Sequence, residues 1–413
     1  TPKVSGGLVG FCLAFMTFYH WQKGLWLDGL NPDKLAWLVS SLGGWLQAQV
    51  DNPQHILHHV RAAMNQPGFY YSFAYCACVV GFGVRRVKRR RTPYVKLQTV
   101  VLALIQVIPL FVLPYILLPW FGGLGWWDAG IGRTVAEWFW PDGEYWRAFG
   151  LVLAWPLFVY NWFTAEPLWG WLILGFLQTF VVIPLIIWRW GKGAYCGWIC
   201  TCGALAETMG DAHRHKMPHG PFWNRLNMLG QVLLVVALVM MAFRILGWAL
   251  ADGNFAERAF EAMLGGIPLL NWKYAVDVWL AGVLGVAFYF HLSGRVWCRF
   301  ACPLAALMHI YTRFSRYRIF AEKKKCISCN ICTTVCHQGI DVMNFANKGR
   351  PMEDPQCVRC SACVQSCPTG VLSFGRYDGK GNIVYDKLSA SPVQMRERHE
   401  LSPVDKLLGE GRT

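Results

Sequence analysis

Eight cysteines fall in two matched runs, Cys326, Cys329, Cys332, Cys336 and then Cys357, Cys360, Cys363, Cys367. In each run the gaps are two, two and three residues, the spacing that lets thiolates wrap a cubane iron–sulfur cluster. In a two-cluster arrangement the fourth cysteine of each run crosses over. The expected sets are Cys326, Cys329, Cys332 with Cys367, and Cys357, Cys360, Cys363 with Cys336, each around one 4Fe-4S cluster. Such centres move electrons one at a time. Paired CxxC spacings also suit tetrahedral zinc, but repetition of the whole spacing, with Pro368 directly after the last cysteine, favours clusters. His337 stands where the first run would carry proline. It either tunes the second cluster by hydrogen bonding to its sulfurs or is an ordinary solvent-side histidine.

A second constellation lies upstream. AYCGWICTCGALAE and VWCRFACPLAALMH are offset by 102 residues, matching Cys196 with Cys298 and Cys200 with Cys302. Cysteines four apart share one face of a helix. Four thiols from two half-units of a duplication can hold a further cluster or metal, act as redox dithiols, or be buried without metal. Cys202 adds a possible ligand in the first unit alone.

These residues need elements to carry them. Of 413 residues, 54% are hydrophobic and 15% charged, with 22 tryptophans, which does not suit a soluble chain of this size. Leu97–Trp120, Leu168–Trp190 and Leu226–Leu250 reach the roughly 20 residues that cross a bilayer. Gly7–Trp21, Phe69–Val84 and Ala275–Leu292 are shorter but have aromatic or basic flanks. Six spans are expected. Pro109, Pro114 and Pro184 are tolerated inside membrane helices and mark kinks. The stretch Phe149–Phe163 is too short and reads as interfacial or re-entrant.

The fold class is therefore mainly α: a polytopic membrane helix bundle with a small C-terminal α+β two-cluster ferredoxin domain. Expected divisions are residues 1–96, a two-span region with an external amphipathic connection; 97–313, four spans with the cysteine-pair repeats; 314–376, the ferredoxin domain; and 377–413, a polar tail. The segment RYRIFAEKKK reads as the tether into the ferredoxin domain, which should be unfolded without iron. The first apolar stretch has no cleavage-site pattern, and because residue 1 is Thr the chain reads as processed or partial.

A net charge of +15 would suggest nucleic acid in a soluble protein, but here it sorts by membrane side. RRVKRRR (85–91), Arg189, Lys192, Arg214, Lys216 and Arg295, Arg299, Arg313, Arg316 and Arg318 alternate with connections poor in basic residues. The positive-inside rule then puts the basic connections, the N-terminus and the ferredoxin domain in the cytoplasm, where thiols stay reduced. No nucleic-acid role is expected; the arginine run orients the chain. The other residues weighed are less informative. Cys12, Cys76 and Cys78 read as small buried hydrophobes. His20 and His291 lie at opposite faces, which disfavours a bis-histidine haem. His309 is a candidate for proton transfer or cluster tuning. His55, His58 and His59 either bind an external metal or, as the favoured reading, form an amphipathic helix face, and His213, His215 and His219 read as a polar loop. Arg244 and Asp277 either pair near the outer interface or line a quinone pocket, unless the arginine only snorkels. No GxGxxG motif opens a nucleotide-binding unit.

The motifs YCGWIC, VWCRFACP, CISCNICTTVC and CVRCSACVQSCP together resemble the membrane polyferredoxins of the NapH, MauN and NosR type, with CcoG more distant. The resemblance covers about residues 168–375. Where the family pattern reads CxxxCP, Cys298–Pro303 keeps it, whereas the first unit has Thr201 and adds Cys202. The resemblance implies an inner-membrane electron-transfer protein, linking the quinone pool or a cytoplasmic donor to a partner oxidoreductase as a quinol dehydrogenase-like subunit. Its expected partners are lipid, redox proteins and quinone. The competing expectation is an assembly factor that supplies electrons while another metalloenzyme matures. A redox sensor would need an output domain, and none is visible.

Overall fold

The computed structural model describes residues 47–250, 253–267, 271–378 and 380–386. Gly7–Trp21, Cys12, His20, most of the connection after them and the tail beyond 386 lie outside the described residues. Residues up to Arg61 form one unit and Ala62 onward another. In the first, His58 Nδ1 lies 2.8 Å from the Val50 carbonyl and His59 Nε2 2.9 Å from that of Pro53. These two rings bond to backbone rather than converge on a metal.

Four helices of the second unit are long and apolar enough to cross a membrane: α1 (Pro67–Arg90), α2 (Pro93–Gly123), α3 (Trp169–Trp190) and α4 (Pro221–Ala249). Their outward faces carry Val100, Leu104, Phe176, Val235 and Leu238, apolar side chains whose natural solvent is lipid. These four correspond to the expected spans at Phe69, Leu97, Leu168 and Leu226. Where the last expected span lies, Trp272–Ala287 is wound as a π-helix and gives way to a short α-turn at Tyr289–Leu292, so it does not form one long α-helix. The prolines act through local rewinding. Ile108–Leu117, with Pro109 and Pro114, and Gln178–Val182, just before Pro184, are π-wound segments inside α2 and α3. A ring that removes a donor is accommodated by a wider turn.

No helix fills Phe149–Phe163. Tyr145–Leu151 is a 3-10 helix followed by turns. The Tyr195 hydroxyl pins the turns, donating to the Val152 carbonyl at 2.6 Å and accepting from the Ala154 amide at 3.2 Å. Arg244 and Asp277 do not pair. Arg244 donates to the carbonyls of Thr164, at 2.6 Å, and Ala165, and Asp277 accepts from the Tyr160 hydroxyl. The backbone carbonyls left free by the irregular segment compete successfully for the guanidinium.

The C-terminal part is built on an antiparallel sheet in the order β1 (Tyr317–Ala321), β2 (Leu372–Tyr377), β3 (Ile383–Tyr385), with Tyr317 opposite Arg376 and Gly375 opposite Tyr385. RYRIFA thus contains a strand rather than a tether, since Ile319 buries itself in a core with Val342, Val364 and Phe374, and Phe320, on the other face, is buried against Tyr377 and Tyr385. The tail likewise begins with a strand, β3, where an irregular segment was expected. Arg316, just before β1, stacks on Trp188 of α3 at 5.0 Å.

Candidate metal centres and the charge network beside them

The two cysteine runs fold as near copies. Ser328 and Asn330 flank Cys329 with φ of 55° and 63°, and Arg359 and Ser361 flank Cys360 with 50° and 62°. Left-handed backbone at four non-glycine residues is uncommon and coils each loop tightly around its thiols. Cys326, Cys329, Cys332 and Cys367 line one small cavity, and Cys336, Cys357, Cys360 and Cys363 line another. Among the described residues the only three metal-type donors within 4.8 Å of one another belong to Glu207, His337 and Cys360. No three thiols of either set therefore stand as close as the roughly 3.8 Å that a tetrahedral zinc with bonds of about 2.3 Å imposes. Thiol donors spread around matched cavities fit a polynuclear cluster better than a single ion.

The upstream cysteines fold differently from a shared helix face. Cys196 ends the short helix Gly193–Cys196, and Cys200 is the cap before Thr201–Glu207. Cys298 lies in Val296–Phe300, and Cys302 caps Pro303–Thr312. In both units the chain breaks the helix between its cysteines, with the Cys200 amide on the Tyr195 carbonyl at 3.0 Å and the Cys302 amide on that of Trp297 at 2.9 Å. Thr201 in place of proline therefore leaves the backbone pattern intact. All four residues are buried in one core cluster. Burial pushes the Cys196 thiol up to about 12, while a hydrogen bond involving Cys202 brings Cys200 down to about 7.

Membrane helices hold this segment by its backbone. Gln98 donates to the Gly197 carbonyl and Gln106 to that of Ile199, both at 2.8 Å, and the Tyr75 hydroxyl reaches the Thr201 carbonyl at 3.1 Å. Two cations face the thiols. Lys192 is 1% exposed and interacts with Cys196, Cys298 and Cys302; burial pushes its ammonium down. Arg295 approaches the Cys298 sulfur at 3.9 Å and donates to the Cys196 carbonyl at 3.1 Å.

The same Arg295 donates to Glu207 Oε1 at 2.7 Å. Glu207, fully buried, also pairs with Arg86 at 3.0 Å and with Arg214, and lies 3.7 Å from His337 Nε2. Asp211 extends the network to Arg90 at 2.9 Å and Arg214 at 2.8 Å. His337 is buried rather than solvent-side; it lines the second ferredoxin cavity and its Nδ1 lies 3.1 Å from Arg214 Nη1. One charge network thus spans from the Cys298 thiol to the wall of the cavity formed by Cys336, Cys357, Cys360 and Cys363.

Backbone packing joins the same two regions. A Cβ on Gly193 would lie 2.1 Å from the Val358 carbonyl, so the Cys357–Cys360 loop sits flush on the segment leading to Cys196. Arg359 donates to the Trp190 carbonyl at 2.5 Å, and its own carbonyl accepts from Tyr94 at 3.1 Å. Glu207, Gln98 and Gln106 were not singled out in the sequence, and Lys192 only as one basic residue of a connection. A signal existed for the first of these: Glu207 and Asp211 are the only acidic residues between 168 and 250, and Glu207 aligns with His309 of the second unit. His309 is half-buried, and burial pushes its imidazole down to about 3. His219 makes a contact of 3.1 Å with the Thr333 carbonyl.

The network's response to acid follows from its ionisation. Burial alone would raise the Glu207 carboxyl, but Arg214, Arg295 and the other cations outweigh it and hold it well below its usual 4.5. Asp211 is likewise held below 3.8, with burial overcome by Arg214, Arg90 and Arg86. Carboxylates depressed in the folded state stabilise it above their unfolded values, and that contribution is lost as pH falls through the folded ones. The carboxylate contribution is constant above about pH 5, but half-buried His309, held below its unfolded value of 6.5, weakens the fold as pH falls through 6.5. Proteolytic cleavage at the junction 313–325 should therefore run at one rate only from about pH 8 to about pH 7, after correction for protease activity. Marked acceleration across that window would contradict the assignment.

Comparison with known proteins agrees with this geometry. A family described as a 4Fe-4S dicluster domain matches residues 318–368, and one described as a 4Fe-4S binding domain matches 169–218 and 278–320. The chain is a membrane-embedded iron–sulfur protein with two 4Fe-4S clusters. It is 26% identical over 195 residues to a putative electron transport protein, YccM, of Escherichia coli, covering 46% of this chain and 52% of that one. It is 28% identical over 168 residues to the regulatory protein NosR of Stutzerimonas stutzeri, 40% of this chain and 22% of the relative. It is 27% identical over 165 residues to the methylamine utilization ferredoxin-type protein MauN of Methylobacillus flagellatus, 38% and 52% respectively. The chain thus spans about half or less of these relatives. No solved structure matches.

Proposed function

We propose that this protein relays electrons between membrane and cytoplasm, with Cys326, Cys329, Cys332 and Cys367 holding one 4Fe-4S cluster and Cys357, Cys360, Cys363 and Cys336 the other. Clusters so held supply one-electron storage and transfer. The observation that carries the reading is the junction of the two regions: the Cys357–Cys360 loop rests on Gly193, and Arg295, Glu207 and His337 continue the contact from the Cys298 thiol. The Cys336, Cys357, Cys360 and Cys363 set is then proximal to the membrane edge and the other set is distal.

Cys196, Cys200, Cys298 and Cys302 form a third redox or metal centre in this proposal. Arg295 is balanced by Glu207, but Lys192 is a buried cation beside those thiols with no ion pair among the described residues, and buried charge is costly without compensation. Thiolate negative charge provides that compensation. The basic connections and the ferredoxin domain lie on the cytoplasmic side by the positive-inside bias, and the membrane terminus of the relay exchanges electrons with quinone or a membrane partner. The relative YccM, described as a putative electron transport protein, points the same way.

The relay depends on the upstream thiols. Cys196→Ser together with Cys298→Ser should leave the reduced ferredoxin signals in place while abolishing electron exchange with a membrane-side donor such as a quinol analogue. Full exchange in the double variant would remove the upstream thiols from the relay. An assembly-factor role predicts instead that the protein matters only while a client enzyme is being made, which depletion after client maturation distinguishes.

A further inference from the structure

The distal cysteine set meets solvent through a surface with its own charge pattern. Cys329 is exposed, and so is the whole run from Ile327 to Ile331, with Ile327 at 62%. Isoleucine at such exposure on either side of a metal-binding thiol forms a small apolar patch over the cavity, whose wall includes Ile327 and Cys329. The patch is flanked by cations. Lys323 and Lys324 are exposed immediately upstream, and Lys348, ending the helix Val342–Lys348, and Arg350 just beyond it are exposed beside them. A Cβ on Gly349 would lie 3.3 Å from Cβ of Lys323, which places the two basic pairs side by side. Asn347 ties the end of that helix to the cluster loop, accepting from the Ser328 hydroxyl at 2.9 Å. The nearby carboxylates are engaged: Glu322 pairs with Lys325 at 2.7 Å, Glu353 with Arg318 at 3.3 Å, and Asp341 accepts from Thr333 and the Asn344 amide, both at 3.2 Å.

We propose that this surface, Ile327, Cys329 and Ile331 rimmed by Lys323, Lys324, Lys348 and Arg350, is the docking site for an acidic electron-carrier protein. A small apolar centre with a charged rim suits a transient redox encounter, in which complementary charge speeds association. The proposal rests on the relay reading, because a docking site for a carrier has meaning only if the distal set exchanges electrons. The surface also lies apart from the contacts with α2 and α3, which are made by Arg359, Gln365 and the Cys357–Cys360 loop.

The test measures binding of a strongly acidic flavodoxin to the full chain in phosphatidylcholine nanodiscs, at low and high salt. Saturable binding should weaken about tenfold or more at high salt and to a similar extent in a Lys323→Glu/Lys324→Glu variant. Equal binding by wild type and variant overturns the proposal. So does binding that disappears in phosphatidylglycerol discs at matched ionic strength, which would assign the patch to anionic lipid. Reduction of both proteins by methyl viologen radical separates the two levels. Clusters that accept electrons from viologen without selective flavodoxin binding sink the docking site alone, whereas clusters inert to viologen sink the relay.

Discussion

Glu207→Ala should destabilise the protein by about 3–5 kcal/mol, the cost of breaking a buried ion pair by removing one partner. The reason is the number of charges it serves. Arg86 comes from a membrane helix, Arg214 from the connection after the first cysteine pair, Arg295 from the start of the second, and His337 from the ferredoxin domain. Without the carboxylate, Arg295 retains only the Cys196 carbonyl and the Cys298 sulfur, and its buried Nε has no partner even in the intact protein. Glu207→Gln keeps the volume and some hydrogen bonds but not the charge, and should fall between wild type and alanine. Denaturant titration followed by cluster absorbance would measure both. A Glu207→Ala variant with the wild-type midpoint would mean that the network neither joins nor stabilises the two regions. Arg133–Glu137 offers the contrast: it is a surface pair, and its loss should leave the denaturation midpoint unchanged.

The second large effect concerns which cysteines share a cluster. With crossed sets, Cys336→Ser and Cys363→Ser damage the same centre, so the double variant should keep about half the iron. Cys336→Ser with Cys332→Ser should lose nearly all of it, because each substitution strikes a different set. Uncrossed sets predict the reverse. Iron analysis and electron paramagnetic resonance of the reduced variants decide between them, and the cavities lined by Cys367 with the first run and Cys336 with the second favour the crossed result. If a single serine empties both centres through unfolding, Cys→Ala variants refolded with iron and sulfide in vitro give the same comparison.

The cluster loops were legible because metal ligation forces a strict spacing on adjacent residues. Four of the six expected spans were legible for a comparable reason, since crossing a bilayer demands a long apolar run. Trp272–Ala287 was harder to read, because hydropathy does not register π-winding. The upstream cysteines were visible as a repeat, yet their placement on one helix face failed: periodicity assumes an unbroken helix, and Cys200 and Cys302 are caps. RYRIFA was read as a tether because its arginines mask the burial of Ile319 and Phe320. Glu207 shows the deeper limit. A single glutamate at the end of a short apolar segment looks like an ordinary surface charge, and only the fold brings Arg86, Arg214, Arg295 and His337 to it from separate stretches of chain.

The central claim is that the eight C-terminal cysteines hold two 4Fe-4S clusters that enter a relay with the membrane edge. The most direct measurement is iron and acid-labile sulfide per chain on anaerobically purified protein, with electron paramagnetic resonance of the reduced sample before and after a quinol analogue is added. The account predicts about eight irons with matching sulfide, more if the upstream thiols hold a further cluster, and a centre that responds to the quinol. Zinc or iron without labile sulfide, or clusters that no membrane-side donor can reduce, would contradict it.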